Sequence, residues 1–226
     1  MLANWIKKIF PPKSAPVIGK IQLDDLRPYL PDAPIIFEAG AYMGEDTLEM
    51  ARHWPAGHVH AFEPMPGLYK KAVERTRRCA NVTCYPFALG KEAGHQRFYV
   101  SGGDSTGSSS LLPPKGHLDY HPTVTFQEEI EVETLSLDDW AQRYAIPGVD
   151  FMWLDLQGYE LFALQGAEEV LKTTRAIYAE VSLVELYQGA PLYPELRAWL
   201  ETRGFRVERE LLAWKEGGNV LFVRQG

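Results

Sequence analysis

The sequence predicts an α/β fold on a mostly parallel sheet, with an antiparallel strand near the C-terminus and an inserted β-hairpin. Three observations predict it. Apolar, β-rich runs alternate with helix-patterned segments along most of the 226 residues, as in βαβ units. Runs such as Phe151-Met152-Trp153-Leu154 are apolar throughout, as strands covered on both faces must be. The last two β-rich runs are joined by a short turn through Lys215-Glu216-Gly217-Gly218, which reverses one strand.

Taken in order, strands are expected over residues 35–39, 58–63, 82–88, 151–156, 176–182, 205–211 and 219–223. Helices are expected over 46–54, 66–79, 137–144, 161–173 and 193–203. Residues 34–226 read as a single domain, a size at which one well-filled core suffices. Two segments depart from the alternation. Between the third strand and the helix at 137, two β-patterned runs enclose the polar stretch from Ser101 to Pro122; they form the inserted hairpin with a long functional loop. The segment 1–33 places Leu2, Trp5, Ile6 and Ile9 at helical spacing around Lys7 and Lys8, and Pro11-Pro12 ends the pattern. It reads as a short amphipathic helix docked on its own domain or on a second copy of the chain in preference to a membrane-surface anchor, which leaves a homodimer open.

Hydrophobic residues make up 46% and charged residues 23%, as in ordinary globular proteins. The net charge of −7 argues against a nucleic-acid partner, which needs clustered positive surface. Cys79 and Cys84 are the two cysteines, too few for a disulfide framework or a cysteine-built zinc site. A cytoplasmic location is expected, and no apolar run has the length of a membrane span.

The chemistry is concentrated at the first glycine turn, Ile35-Ile36-Phe37-Glu38-Ala39-Gly40-Ala41-Tyr42-Met43-Gly44. A dinucleotide fingerprint would place a glycine between Gly40 and Gly44 to let the backbone close on a pyrophosphate. Here that place holds Tyr42 and Met43, and an acid, Glu38, ends the strand. Such an acid repels phosphate and favours a cationic group, with a ligand carboxylate expected near the following helix N-terminus. Glu63 ends the second strand and is placed to accept hydrogen bonds from two ribose hydroxyls. NAD and S-adenosylmethionine both carry such a ribose. Glu38 and the absent phosphate glycine favour S-adenosylmethionine, a sulfonium.

Read with further segments, this turn resembles the FkbM family of S-adenosylmethionine-dependent methyltransferases. The matching pieces are FEAGAYMGEDTL, HAFEPMPGLY, the SSSLL of the long loop, VETLSLDDW, DFMWLDLQGYELFALQGA, IYAEV and NVLFV, in order over residues 35 to 223. The resemblance implies a class I methyltransferase (Rossmann-like) sheet of about seven strands with the last one antiparallel. It also implies O-methylation of a hydroxyl on a sugar or natural-product small molecule. The family's Lys-x-Asp-x-Glu-Gly-x-Glu pattern stands here with Trp153 and Gln157 in place of the lysine and first glutamate, while Asp155, Gly158 and Glu160 remain.

The expected cofactor-binding residues are Glu38, Gly40, Tyr42, Gly44, Thr47, Glu63, Pro64, Ala88 and Asp155. Asp155 and Glu180, at the carboxyl ends of their strands where open α/β sheets hold ligands, are the expected catalytic carboxylates. They would align an acceptor hydroxyl and take its proton. Ser109, Glu160 and Glu180 are expected on the acceptor side, with Asp104 facing the adenine or the acceptor and the serine loop as a lid. No metal is expected, and His117 and His121 read as surface histidines. Two other readings stay open: a protein that binds S-adenosylmethionine without catalysis, and a nicotinamide-dependent oxidoreductase.

Overall fold

The computed structural model describes residues 19–226; the helix expected over residues 2–9 lies outside them. The first half of the sheet is β1 (Ile35–Ala39), α1 (Glu45–His53), β2 (His58–Phe62), α2 (Pro66–Thr76) and β3 (Val82–Tyr85). The insertion follows as β4 (Ala88–Leu89), β5 (Gly94–Gly103), α3 (His117–Tyr120) and β6 (Val124–Leu135). The chain then returns through α4 (Leu137–Arg143), β7 (Phe151–Leu154), α5 (Glu160–Gln165), β8 (Ala176–Ser182), α6 (Tyr193–Glu201), β9 (Phe205–Leu211) and β10 (Gly217–Arg224).

Seven strands form one sheet in the order β3-β2-β1-β7-β8-β10-β9. The pairings from β3 through β8 are parallel, and β10 runs antiparallel to both β8 and β9, as the short turn before it predicts. Side chains alternate between the two faces of a strand, and the core divides accordingly. Phe37, Ala39, Met152, Leu154, Ile177 and Ala179 pack with Trp140, Leu164 and Leu196 from α4, α5 and α6. Ile36, Phe151, Trp153, Ala176 and Tyr178 pack on the opposite face with Met50 and Ala51 of α1. Ile21, Leu23 and Leu26 join this second layer. Gly19 is tied to the sheet as well, because its carbonyl accepts from the Tyr178 hydroxyl at 3.2 Å and from Asn219 Nδ2 at 3.0 Å.

Three elements differ from expectation for local reasons. The third strand ends at Tyr85 because Pro86 has no N–H to donate to a ladder; Ala88–Leu89 instead pairs with β6 in a separate sheet of order β4-β6-β5. The helix expected over 161–173 stops at Gln165. A Cβ at Gly166 would stand 2.7 Å from the Lys91 carbonyl oxygen, so the chain passes too close to the insertion to carry a side chain there. Helix α2 ends at Thr76, three residues early. Among the described residues, no helix is long and apolar enough to cross a membrane.

Candidate active site

The glycine turn leaves β1 at the middle of the sheet and lies against the residues that follow β7. Gly40 has φ +83°, and a Cβ there would fall 2.0 Å from the Asp155 carbonyl oxygen. Both the backbone angle and the close approach therefore require glycine. Gly44 has φ +78°, and a Cβ would meet Ala72 of α2 at 3.0 Å; it lets the start of α1 pack against α2. Glu38 is 1% exposed, and its carboxylate accepts from Thr47 Oγ1 at 2.5 Å. Burial raises its pKa to about 8; Asp46 and Asp155 push the same way, while Thr47 and Lys20 oppose. The first turn of α1 carries Glu45 and Asp46, both on the cavity wall. It therefore presents negative charge where a ligand carboxylate was expected. Lys20 pairs with Asp46 and with Glu49.

Glu63 follows β2 and is held by the backbone. Its Oε2 accepts from Tyr42 N at 2.9 Å and its Oε1 from Met65 N at 2.8 Å. One N–H on each oxygen fixes the carboxylate and leaves each oxygen a free lone pair. Burial pushes its pKa up to about 7 against those two bonds.

The third strand end is an acidic cluster organised by an amide. Gln157 Nε2 donates to Asp155 Oδ1 at 2.8 Å and to Glu180 Oε2 at 2.7 Å, one hydrogen for each. Its Oε1 stands 3.0 Å from the Tyr187 hydroxyl, whose one hydrogen it shares with the Ser108 carbonyl at 2.7 Å. All polar atoms of the amide are thus directed, and the two carboxyls are brought to one place. Desolvation raises the pKa of both, further for Glu180 because it also faces Asp155 and Glu160. Asp155 remains exposed because its carboxylate opens into the cavity. Gln157 has φ +53° and Tyr42 φ +51°, and strained backbone of this kind collects at functional sites. Glu160, expected to meet an acceptor, instead turns back on its own loop. Its Oε1 accepts from Leu156 N at 2.8 Å and Gly158 N at 3.3 Å, which makes it a positioning residue.

The long loop closes over these ends. Tyr42 and Thr106 hydroxyls meet at 2.6 Å, Ser110 Oγ donates to the Gln157 carbonyl at 2.9 Å, and the Tyr187 hydroxyl donates to the Ser108 carbonyl at 2.7 Å. Ser109 Oγ accepts from Ser101 N at 2.9 Å. Asp104 lies at the exposed end of β5, away from both cavities described below. His117 is 3% exposed, not a surface histidine: it is wedged between Tyr187 and Phe126. Among the described residues, no cluster of three His, Cys, Asp or Glu side chains is arranged to hold a metal.

These parts enclose a cavity of about 390 Å³ at the carboxyl ends of β1, β2 and β7. Of the residues expected at the site, Glu38, Gly40, Tyr42, Glu63, Pro64, Ala88, Ser109 and Asp155 line it. Gly44 and Thr47 stand behind the wall, and Glu180 lines an adjoining cavity. Five carboxylates, Glu38, Glu45, Asp46, Glu63 and Asp155, reach the wall, with no lysine, arginine or histidine among its described residues. The other end is apolar, formed by Leu68, Phe87, Leu89, Phe98 and Leu111. Sequence reasoning missed these apolar residues because they read as plain core. It also missed Glu45 and Asp46, whose signal was present: two acids directly after a glycine turn.

This strand order, with the reversed strand β10 in the next-to-last position between β8 and β9 and an acid-lined cleft at the strand ends, defines a class I methyltransferase fold. The methyltransferase FkbM domain matches residues 38–207, and the chain belongs to that family. It is 33% identical over 161 residues to the 2-O-methyltransferase NoeI of Sinorhizobium fredii (strain NBRC 101917 / NGR234), covering 69% of this chain and 66% of that protein, just short of two thirds of its length. It is 27% identical over 209 residues to the methyltransferase sdnD of Sordaria araneosa, covering 82% and 78% of the two chains. The crystal structure of a methyltransferase FkbM from Methylobacillus flagellatus KT superposes with a TM-score of 0.57 at 15% identity, over 84% of this chain and 44% of that one.

Proposed function

We propose that this protein is an S-adenosylmethionine-dependent O-methyltransferase acting on a hydroxyl of a sugar or natural-product small molecule. The observation that carries the reading is a cavity wall of five carboxylates with no lysine, arginine or histidine among its described residues. Asp46 and Glu45 are paired with Lys20 and Arg75, but a pyrophosphate would still face Glu38, Glu63 and Asp155, whereas a ligand with a sulfonium and an ammonium lowers the cost of burying Glu38 and Glu63. The fixed Glu63 carboxylate suits a ribose diol, and the apolar end suits an adenine ring. This counts against a nicotinamide dinucleotide. The relationship to a 2-O-methyltransferase supports oxygen as the acceptor atom.

When bound, the donor supplies a methyl group made electrophilic by positively charged sulfur. The chain's contribution is alignment and proton removal. Asp155 opens into the donor cavity while Glu180 opens into the neighbouring one, and Gln157 holds both. An acceptor hydroxyl at this boundary hydrogen-bonds to Asp155, which takes its proton as the new C–O bond forms. The Tyr42–Thr106 and Ser110–Gln157 contacts hold the loop across the cleft and exclude water.

Calorimetric titration with S-adenosylmethionine, S-adenosylhomocysteine and NAD tests the donor assignment. The two adenosyl sulfur ligands should bind and NAD should not; the reverse order refutes it. A catalytic reading further requires methyl transfer to a hydroxyl compound, and binding without transfer to any of them would leave a non-catalytic binder.

A further inference from the structure

A second cavity, of about 280 Å³, adjoins the first. Gly107 and Gln157 line both, so the two are separated by little more than the Gln157 side chain. Glu180 belongs to the second cavity, and Trp214, His117, His121 and Glu216 form its other functional walls.

Three features make this a built binding site. The Trp214 side chain, in the turn between β9 and β10, is 47% exposed, and a large aromatic left open beside a polar cavity offers a flat face to a ligand ring. His121 Nε2 lies 3.2 Å from Glu216 Oε1, so the opposite side presents an oriented carboxylate. His117, almost wholly buried, has no hydrogen-bond partner for Nδ1 among the described residues, although buried polar atoms are ordinarily satisfied. Burial and the neighbouring His121 lower its pKa to about 4, with Glu216 opposing, so the ring is neutral at pH 7.

Charge narrows the ligand. Among the described residues, Glu180 and Glu216 line the cavity and no lysine or arginine does. An anionic acceptor would meet the Glu216 carboxylate and find no lysine or arginine partner among the described residues. The volume of about 280 Å³ falls just below the roughly 300–1,000 Å³ range for small-molecule sites, which suits one ring with its substituents rather than an extended chain.

We infer that this cavity is the acceptor site, and that it takes an uncharged, hydroxyl-rich ring stacked on Trp214 with its reacting hydroxyl delivered past Gln157 to Asp155 and Glu180. Phosphorylated or carboxylated forms of the same ring are selected against. The inference rests on the donor reading given above, because the reacting boundary is defined by the donor cavity.

The test uses the full chain loaded with S-adenosylhomocysteine and a panel of methyl glycosides of glucose, galactose, mannose and rhamnose, with the hexose 6-phosphates as charged counterparts. Binding is read by saturation-transfer NMR. A neutral glycoside should bind and outcompete its phosphorylated counterpart. Trp214→Ala should weaken that glycoside about tenfold with S-adenosylhomocysteine affinity unchanged, and Glu216→Gln should narrow the preference for the neutral form. The inference is overturned if no glycoside binds the loaded protein, if the bound one is indifferent to Trp214→Ala, or if the phosphates bind more tightly. Failure of S-adenosylhomocysteine itself to bind would instead overturn the donor reading.

Discussion

At the scale of single residues, the site is a set of carboxylates each held by a different device. Glu63 is gripped by two backbone N–H groups, so Glu63→Ala should leave the fold intact and weaken S-adenosylmethionine binding by roughly tenfold or more, since hydrogen bonds to a charged group are worth about 1.5–3 kcal/mol each. Calorimetry reads this directly, and unchanged affinity removes Glu63 from the ribose role. Asp155→Asn should keep donor affinity while lowering turnover in a radiolabelled methyl-transfer assay; full activity excludes Asp155 as the base. Glu38, Gly40 and Glu63 were legible in the sequence because strand-end acids and a strand-to-helix glycine form a local pattern. Gln157 was legible only as a departure from the family pattern. Its grip on Asp155, Glu180 and Tyr187 joins positions up to 30 apart in sequence, which no local spacing reveals. Trp153 is similar. It takes the lysine's place in the pattern, yet a cation still stands near it, because Lys20 Nζ lies 5.3 Å from its ring centroid.

At the scale of elements, the strands were read well where apolar runs are continuous and less well where the chain meets the insertion. Pro86 and Gly166 mark the two places where local pattern yields to tertiary contact, one by removing a donor and the other by close approach to Lys91. Helix α5 shows the same competition, since the α-helix stops at Gln165 while Ala167, Val170 and Leu171 stay in the core, the last two on a 3-10 turn. The long loop was expected to cover the site, and its anchors lie at Thr106, Ser108 and Ser110. Ser110→Ala combined with Tyr187→Phe removes two of these bonds and releases the strained Gln157 turn. Amide exchange over residues 104–112 should then accelerate and the acceptor KM should rise, with donor affinity little changed; unaltered exchange would show that the loop is held by other contacts.

At the scale of the whole molecule, the buried acids tie stability to pH and to ligand. Burial raises Glu38 to about 8 and Glu63 and Glu160 to about 7 in the folded chain, whereas unfolded glutamates titrate near 4.3. The folded state therefore holds more protons than the unfolded one across this window, and its stability falls as pH rises. Buried His60 and His117, lowered to about 4, act oppositely but only below their unfolded value near 6.5. From pH 6.5 to 8 the acids act unopposed, so the melting temperature of the free protein should drop by on the order of a few degrees. Added S-adenosylmethionine should stabilise more at pH 8 than at 6.5, because its cationic groups meet carboxylates that are costly to ionise alone. A flat melting profile would mean that these acids are not desolvated together. The central claim is that the carboxylates at the ends of β1, β2 and β7 converge on one adenosyl donor, and a crystal structure of the complex with S-adenosylhomocysteine tests it most directly. The account predicts both ribose hydroxyls on Glu63 and the adenine between Phe87 and Leu111; a ligand seated elsewhere, or a Glu63 carboxylate turned away from it, would contradict the account.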